Sequence, residues 1–232
     1  MDASLLGFLI ALVVSAIVVF PLGKTLRKHP SVFYAVAAVF VVLYVWALWT
    51  GVNLAPVRAL TAVLQKGYVA SILLAVVMFT GCLDEGSRLR RKLQPIRGEL
   101  SILSFIFILG HLAAYAPSYL RRIDVLFSTR SNIAFSLTVA LVLTALFLVL
   151  TVTSVRALHK RMSPKAWKGL QRFSYLMVVL LIVHVGFVLG RSAIADPTSQ
   201  AMFSLVVYLA VVVLYAVLRI RKALRDKKSL EA

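Results

Sequence analysis

Seven apolar stretches, at 4–22, 32–50, 67–83, 99–116, 132–155, 169–190 and 201–218, follow one another along this 232-residue chain with only short connections between them. Each is close to the ~20 residues that carry an α-helix across ~30 Å of hydrocarbon. A backbone in lipid must satisfy its own hydrogen bonds, so the expected fold is all-α: a polytopic membrane bundle of about seven transmembrane helices. Composition agrees. With 61% hydrophobic residues and a mean hydropathy of +0.94, the chain carries more apolar side chain than a soluble core of this size could hide. The first stretch opens with Met1-Asp2 and puts Lys24, Arg27 and Lys28 behind it, the reverse of a cleaved signal, and is expected to stay as a span.

The net charge of +18 reads as topology, because the 26 Lys and Arg lie in short runs between the apolar stretches. Segments 23–31, 84–98, 156–168 and 219–232 hold 19 of them, against 6 in 51–66, 117–131 and 191–200, which are read as the loops of the opposite side. The heavy side is expected in the cytoplasm, with the N-terminus outside and the C-terminus inside the cell's inner (plasma) membrane. Tyr44, Trp46 and Trp49 then belong to the outer aromatic belt and Trp167 to the inner one. The run from Arg219 to Lys228 reads as an anchor on anionic lipid, and no nucleic-acid partner is implied. With no linker or repeat, 1–232 is expected as a single transmembrane domain: two additional N-terminal spans in 1–66, a core at 67–190, and the last span and basic tail in 201–232.

Several chemistries drop out. Cys82 is the lone cysteine, which rules out an internal disulfide and covalent c-type haem, and it reads as a small buried hydrophobe. There is no Gly-rich dinucleotide fingerprint and no P-loop. Charged residues are scarce at mid-span, which weighs against a transporter.

Four histidines remain. His29 and His159 lie in basic loops and need no special role. His111 and His184 each interrupt an apolar helix, where an imidazole wants a partner. His111 lies 12 residues past Glu99 and His184 15 past Gly169, rises of about 18 and 22 Å, so both reach nearly one level in the outer half of the bilayer. Two imidazoles at one depth in a bundle suit the axial ligation of a b-type haem, and they equally suit hydrogen bonds to neighbouring helices. On the residues alone, both readings stand. Gly110 and Ala114 beside His111, and Gly186 beside His184, are expected to leave space for a porphyrin edge.

The stretch Arg97-Gly-Glu-Leu-Ser-Ile-Leu-Ser-Phe-Ile-Phe-Ile-Leu-Gly-His111-Leu-Ala-Ala-Tyr115, then Thr151-Val-Thr-Ser154, then Met162-Ser-Pro-Lys-Ala-Trp167-Lys-Gly-Leu-Gln171-Arg172-Phe-Ser-Tyr175-Leu and His184, resembles the ferric reductase-like transmembrane domain. Within that superfamily it is similar to the haem-binding membrane subunit of the bacterial periplasmic methionine sulfoxide reductase, over roughly 67–190. The resemblance implies a b-type cytochrome, the electron-transfer membrane subunit of an oxidoreductase. It would take electrons from quinol or a flavin-dependent reductase and pass them to an external acceptor, ferric iron or a partner reductase. It also implies that His111 and His184 are the iron ligands of an outer haem b. The pattern departs from those relatives at Gln171, where a histidine stands in the motif Leu-His-Arg, and at Gly98, where larger relatives carry an inner-haem histidine. One haem is therefore expected, not two. From Gln171 up to His184 the chain climbs 13 residues, about 20 Å, so either a second carrier, FMN or a quinone, is expected near Trp167, Gln171 and Tyr175, or quinol reaches the haem from within the bilayer. Arg122, just past the first ligand helix, is a candidate for a haem propionate, although a loop arginine is more often simply solvated. The competing reading is a haem-free scaffold or assembly subunit that keeps these helices without the redox chemistry.

Overall fold

The computed structural model describes residues 3–52, 54–64, 66–121 and 132–231, and among these the regular structure is entirely helical. The helices are α1 (Ala3–Val19), α2 (Gly23–Lys28), α3 (Pro30–Thr50), α4 (Ala55–Leu64), α5 (Tyr68–Thr80), α6 (Arg88–Leu93), α7 (Arg97–Leu120), α8 (Asn132–Val152), α9 (Arg156–His159), α10 (Pro164–Gln171), α11 (Phe173–Ala195) and α12 (Gln200–Glu231), with a 3-10 turn at Gln94–Ile96 before α7. Every one of the seven apolar stretches falls on a helix. Six helical segments among the described residues, Pro30–Thr50, Ala55–Thr80, Arg88–Leu120, Ala134–Val152, Pro164–Ala195 and Gln200–Lys227, are long and apolar enough to cross a membrane. The 17 residues of α1 rise about 26 Å, at the short end of what spans. The chain is a multi-pass, all-α membrane protein, and its exposed apolar side chains, among them Leu12, Val42, Leu141, Val179 and Val213, meet lipid.

Local chemistry sets the helix ends. Pro30 opens α3, and Gly51, at φ +72°, closes it in the left-handed conformation that only glycine adopts without strain. The Ser163 hydroxyl accepts from the Ala166 amide at 3.2 Å and starts α10 ahead of Pro164. Between α11 and α12, Asp196 Oδ1 accepts from both the amide and the hydroxyl of Thr198, and these bonds hold its carboxyl below the usual carboxylate range. Three threonine hydroxyls are satisfied by their own helix: Thr80, Thr138 and Thr144 each donate to the carbonyl four residues back.

The structure divides into two compact units, one ending at Arg121 and one following it. In the first, α7 packs between α3 and α5, and α1 lies on α4 and α5. Its core holds Leu26, Tyr44, Leu73 and Leu100, each essentially sealed from the surface, and Ser104 Oγ donates to the Ala70 carbonyl across α5 and α7 at 2.6 Å. Backbones approach closely at glycines. A Cβ on Gly7 would run into the Ala62 carbonyl, and one on Gly110 would stand 3.0 Å from Val41 Cγ1.

Three expectations change here. Segment 51–66, read as an outer loop, contains helix α4, whose Leu60, Val63 and Leu64 pack into the core. Gly110 leaves no space for a ligand, because it is the contact surface for α3. Tyr44 belongs to the buried core at 0% exposure and not to an aromatic belt, while Trp46 and Trp49 on the same helix face outward.

In the second unit α11 packs between α8 and α12. Val139, Phe147 and Leu150 of α8, Met177, Val178, Val185 and Ala193 of α11, and Tyr215 of α12 are its buried apolar side chains.

Candidate functional site

Each candidate histidine lies on the middle helix of its own unit. His111 is 14 residues into α7, about 21 Å from its start, and His184 is 11 residues into α11, about 17 Å from its start. Both are half-buried.

The setting of His111 is made by a break in the helical path. α4 ends at Leu64, α5 begins at Tyr68, and Gly67 between them has φ +67°. The Gly67 amide donates to the Leu64 carbonyl at 3.0 Å and its own carbonyl accepts from Ser71 at 2.9 Å, so the glycine closes one helix and starts the next. A Cβ at this position would stand 3.5 Å from His111 Nδ1 and 3.7 Å from Cγ. The bare glycine thus faces the Nδ1 edge of the imidazole. Tyr115, one turn along α7, lays its ring 4.9 Å from the His111 ring at a 52° tilt.

The setting of His184 is a side chain. Ser136 Oγ of α8 is 3.5 Å from His184 Nδ1, and Ser136 is buried at 4% exposure. Neither Gly67 nor Ser136 was singled out from the sequence. The sequence carries no distinct signal for either: Gly67 opens an apolar span and Ser136 is one of several hydroxyls in another.

The residues expected around a second carrier have separate neighbours at the start of α11. Gln171 Nε2 donates to Thr153 Oγ1 at 3.4 Å. The Trp167 ring lies 4.7 Å from the His159 ring. Tyr175 Oη accepts from Arg219 Nε at 2.7 Å, with that guanidinium 5.8 Å from its ring centre. Two buried polar atoms of this unit, Trp167 Nε1 and Thr151 Oγ1, have no hydrogen-bond partner. Cys82 is buried, as its reading as a small hydrophobe requires. Arg122 lies outside the described residues. Among the described residues no three His, Cys, Asp or Glu side chains converge on a common point.

Comparison with known proteins places these helices. Residues 66–182 match the family described as ferric reductase like transmembrane component, a match that begins beside Gly67 and ends two residues before His184. An uncharacterized protein of Treponema pallidum (strain Nichols) is 33% identical over 227 residues, covering 95% of this chain and 61% of the relative, so the chain spans under two thirds of that protein's length. No solved structure matches. With half its length matched, and with both histidine-bearing helices drawn into that match, the chain belongs to the ferric reductase-like transmembrane family.

Proposed function

We propose that this protein is a membrane b-type cytochrome of the bacterial inner membrane, holding one haem through His111 and His184 and carrying electrons to an external acceptor, ferric iron or a partner reductase. The observation that carries this reading is the pair of histidines, one on the middle helix of each unit, in a chain of ferric reductase-like family. On this reading His111 and His184 would hold the haem, each offering an imidazole nitrogen, the donor type that a b-type haem takes from a protein. Bound there, haem supplies a one-electron carrier. The chain's part would be to hold each imidazole at a fixed rotation and to keep each ring neutral for ligation.

An absorbance spectrum of the purified protein decides between this and the haem-free scaffold. The expected result is a reduced b-type spectrum with about one haem per chain, abolished or converted to a five-coordinate form in His111→Ala and in His184→Ala. Wild-type spectra in both variants would sink the assignment.

A cytoplasmic donor would need a second carrier in the inner half, since Gln171 and His184 are 13 residues apart, about 20 Å of helix and too far for a fast single hop; quinol reaching the haem from within the bilayer would not. FMN or a quinone near Trp167, Gln171 and Tyr175 fills that role. Trp167 Nε1, a buried donor with no partner, costs about 1–3 kcal/mol as it stands and would be satisfied by a ring carbonyl. A bound flavin would co-purify and fluoresce on denaturation, whereas a quinol-fed protein would be reduced by quinol with no flavin present. Two haems per chain would remove the need for either.

Orientation is part of the same proposal: N-terminus outside, C-terminus in the cytoplasm, from the 19 to 6 distribution of basic residues. A reporter active only outside the cytoplasm should work at Met1 and fail at Ala232. Activity at Ala232 would overturn the orientation.

A further inference from the structure

Hydroxyls inside apolar helices usually bond back to their own helix, and Thr138 and Thr144 of α8 do so, to Ala134 O at 3.0 Å and Ala140 O at 2.7 Å. Ser136, on the same helix, reaches across to α11 instead, where its Oγ lies 3.5 Å from His184 Nδ1. It does so from the buried face of α8, one turn from Val139 and in line with Phe147 and Leu150. A hydroxyl buried on such a face is unfavourable unless it is bonded, and the imidazole is the polar group it meets.

The contact has two possible polarities. If the serine O–H donates to Nδ1, the imidazole carries its proton on Nε2 and has no lone pair there. If Nδ1–H donates to Oγ, Nε2 presents a lone pair. Only the second tautomer binds a metal through Nε2, and ligating histidines generally fix it with an acceptor on the other ring nitrogen. We propose that Ser136 is a positioning residue for His184: its Oγ accepts from Nδ1–H, locks the ring's rotation and tautomer, and turns the Nε2 lone pair toward the iron. This deepens the haem reading and rests on it for the identity of the metal, but the tautomer is a property of the chain alone. An acceptor on Nδ1–H also makes the imidazole a stronger electron donor. That favours the ferric state and lowers the midpoint potential.

The test compares Ser136→Thr, which keeps the hydroxyl, with Ser136→Val, the isostere of threonine in which a methyl stands in place of that hydroxyl, in the full-length protein. The first readout is 15N NMR of histidine-labelled protein prepared without haem, with the His184 signal identified by its loss in His184→Ala. The Nδ1–H tautomer is expected in wild type and Ser136→Thr, and a mixture in Ser136→Val. The Nε2–H tautomer in wild type would overturn the proposal. The second readout is redox titration and low-temperature electron paramagnetic resonance of the haem-loaded protein. Ser136→Val should raise the midpoint potential, move the low-spin ferric signal and weaken haem retention by about tenfold, and Ser136→Thr should leave all three at wild-type values. Equal behaviour of Thr and Val would overturn it, because the hydroxyl would then do nothing that a methyl does not. If wild type takes up no haem, the proposed function fails while the tautomer still decides the role of Ser136.

Discussion

The two units solve the same problem with different material. The first holds a continuous core, from Ala11 and Leu26 through Tyr44, Leu73 and Leu100, and draws its backbones together at glycines. It presents His111 against bare backbone at Gly67. The second is leaner, with α11 between two neighbours, and presents His184 against a side chain, Ser136. At Gly67 a bare backbone lies against one ring, and at Ser136 a hydroxyl lies within hydrogen-bond reach of the other. Substitutions near His111 should therefore read out first as stability, and substitutions near His184 first as chemistry.

The largest expected effect separates the packing of the two units. Gly7→Ala drives a methyl into the Ala62 carbonyl where α1 crosses α4, an overpacking worth about 1–3 kcal/mol of destabilisation. Gly186→Ala in the second unit meets nothing within 4 Å and should instead stabilise α11 by about 0.5–1 kcal/mol. Thermal unfolding in detergent should move in opposite directions for the pair, and a shared direction would break the comparison. A middle effect belongs to Gly67→Ala, where a left-handed residue with φ +67° gains a side chain at a cost of about 1–2 kcal/mol. Because the new methyl would also touch the His111 ring, the lower unfolding temperature should come with a changed haem spectrum; a normal spectrum would mean that Gly67 shapes only the helix break. The smallest effect is expected for Gln171→Leu, which removes a 3.4 Å hydrogen bond to Thr153 and should cost no more than about 1 kcal/mol. Loss of a co-purifying flavin or of quinol reduction in that variant, with stability nearly intact, would assign Gln171 to the second carrier.

The spans were legible in the sequence because hydropathy over about 20 residues is a property of length and composition, both printed in the chain. Faces were not. α3 and α8 are apolar all round, so no periodicity tells which side meets protein and which meets lipid. That is why Tyr44 read as a belt residue and Gly110 as a gap, when one fills the core and the other touches Val41. α4 was hidden for another reason: Pro56 and Arg58 at its start and Lys66-Gly67 after its end look like loop punctuation, yet proline is at home in a first helical turn and glycine just past a last one. The histidines stood out as polar groups in apolar runs. Their partners did not, since a serine or glycine in a membrane helix is too common to signal anything until a neighbouring helix is brought beside it.

The last helix has a mechanical side. α12 runs unbroken through 32 residues, about 48 Å, against a hydrocarbon layer of ~30 Å. Its basic end, where Lys222 pairs with Asp226 at 3.2 Å, is thus the far part of one stiff rod and not a loose tether. Part-way along that rod Tyr215 is buried and Arg219 donates to Tyr175 of α11, so the helix that carries the basic end is bonded to the helix that carries His184.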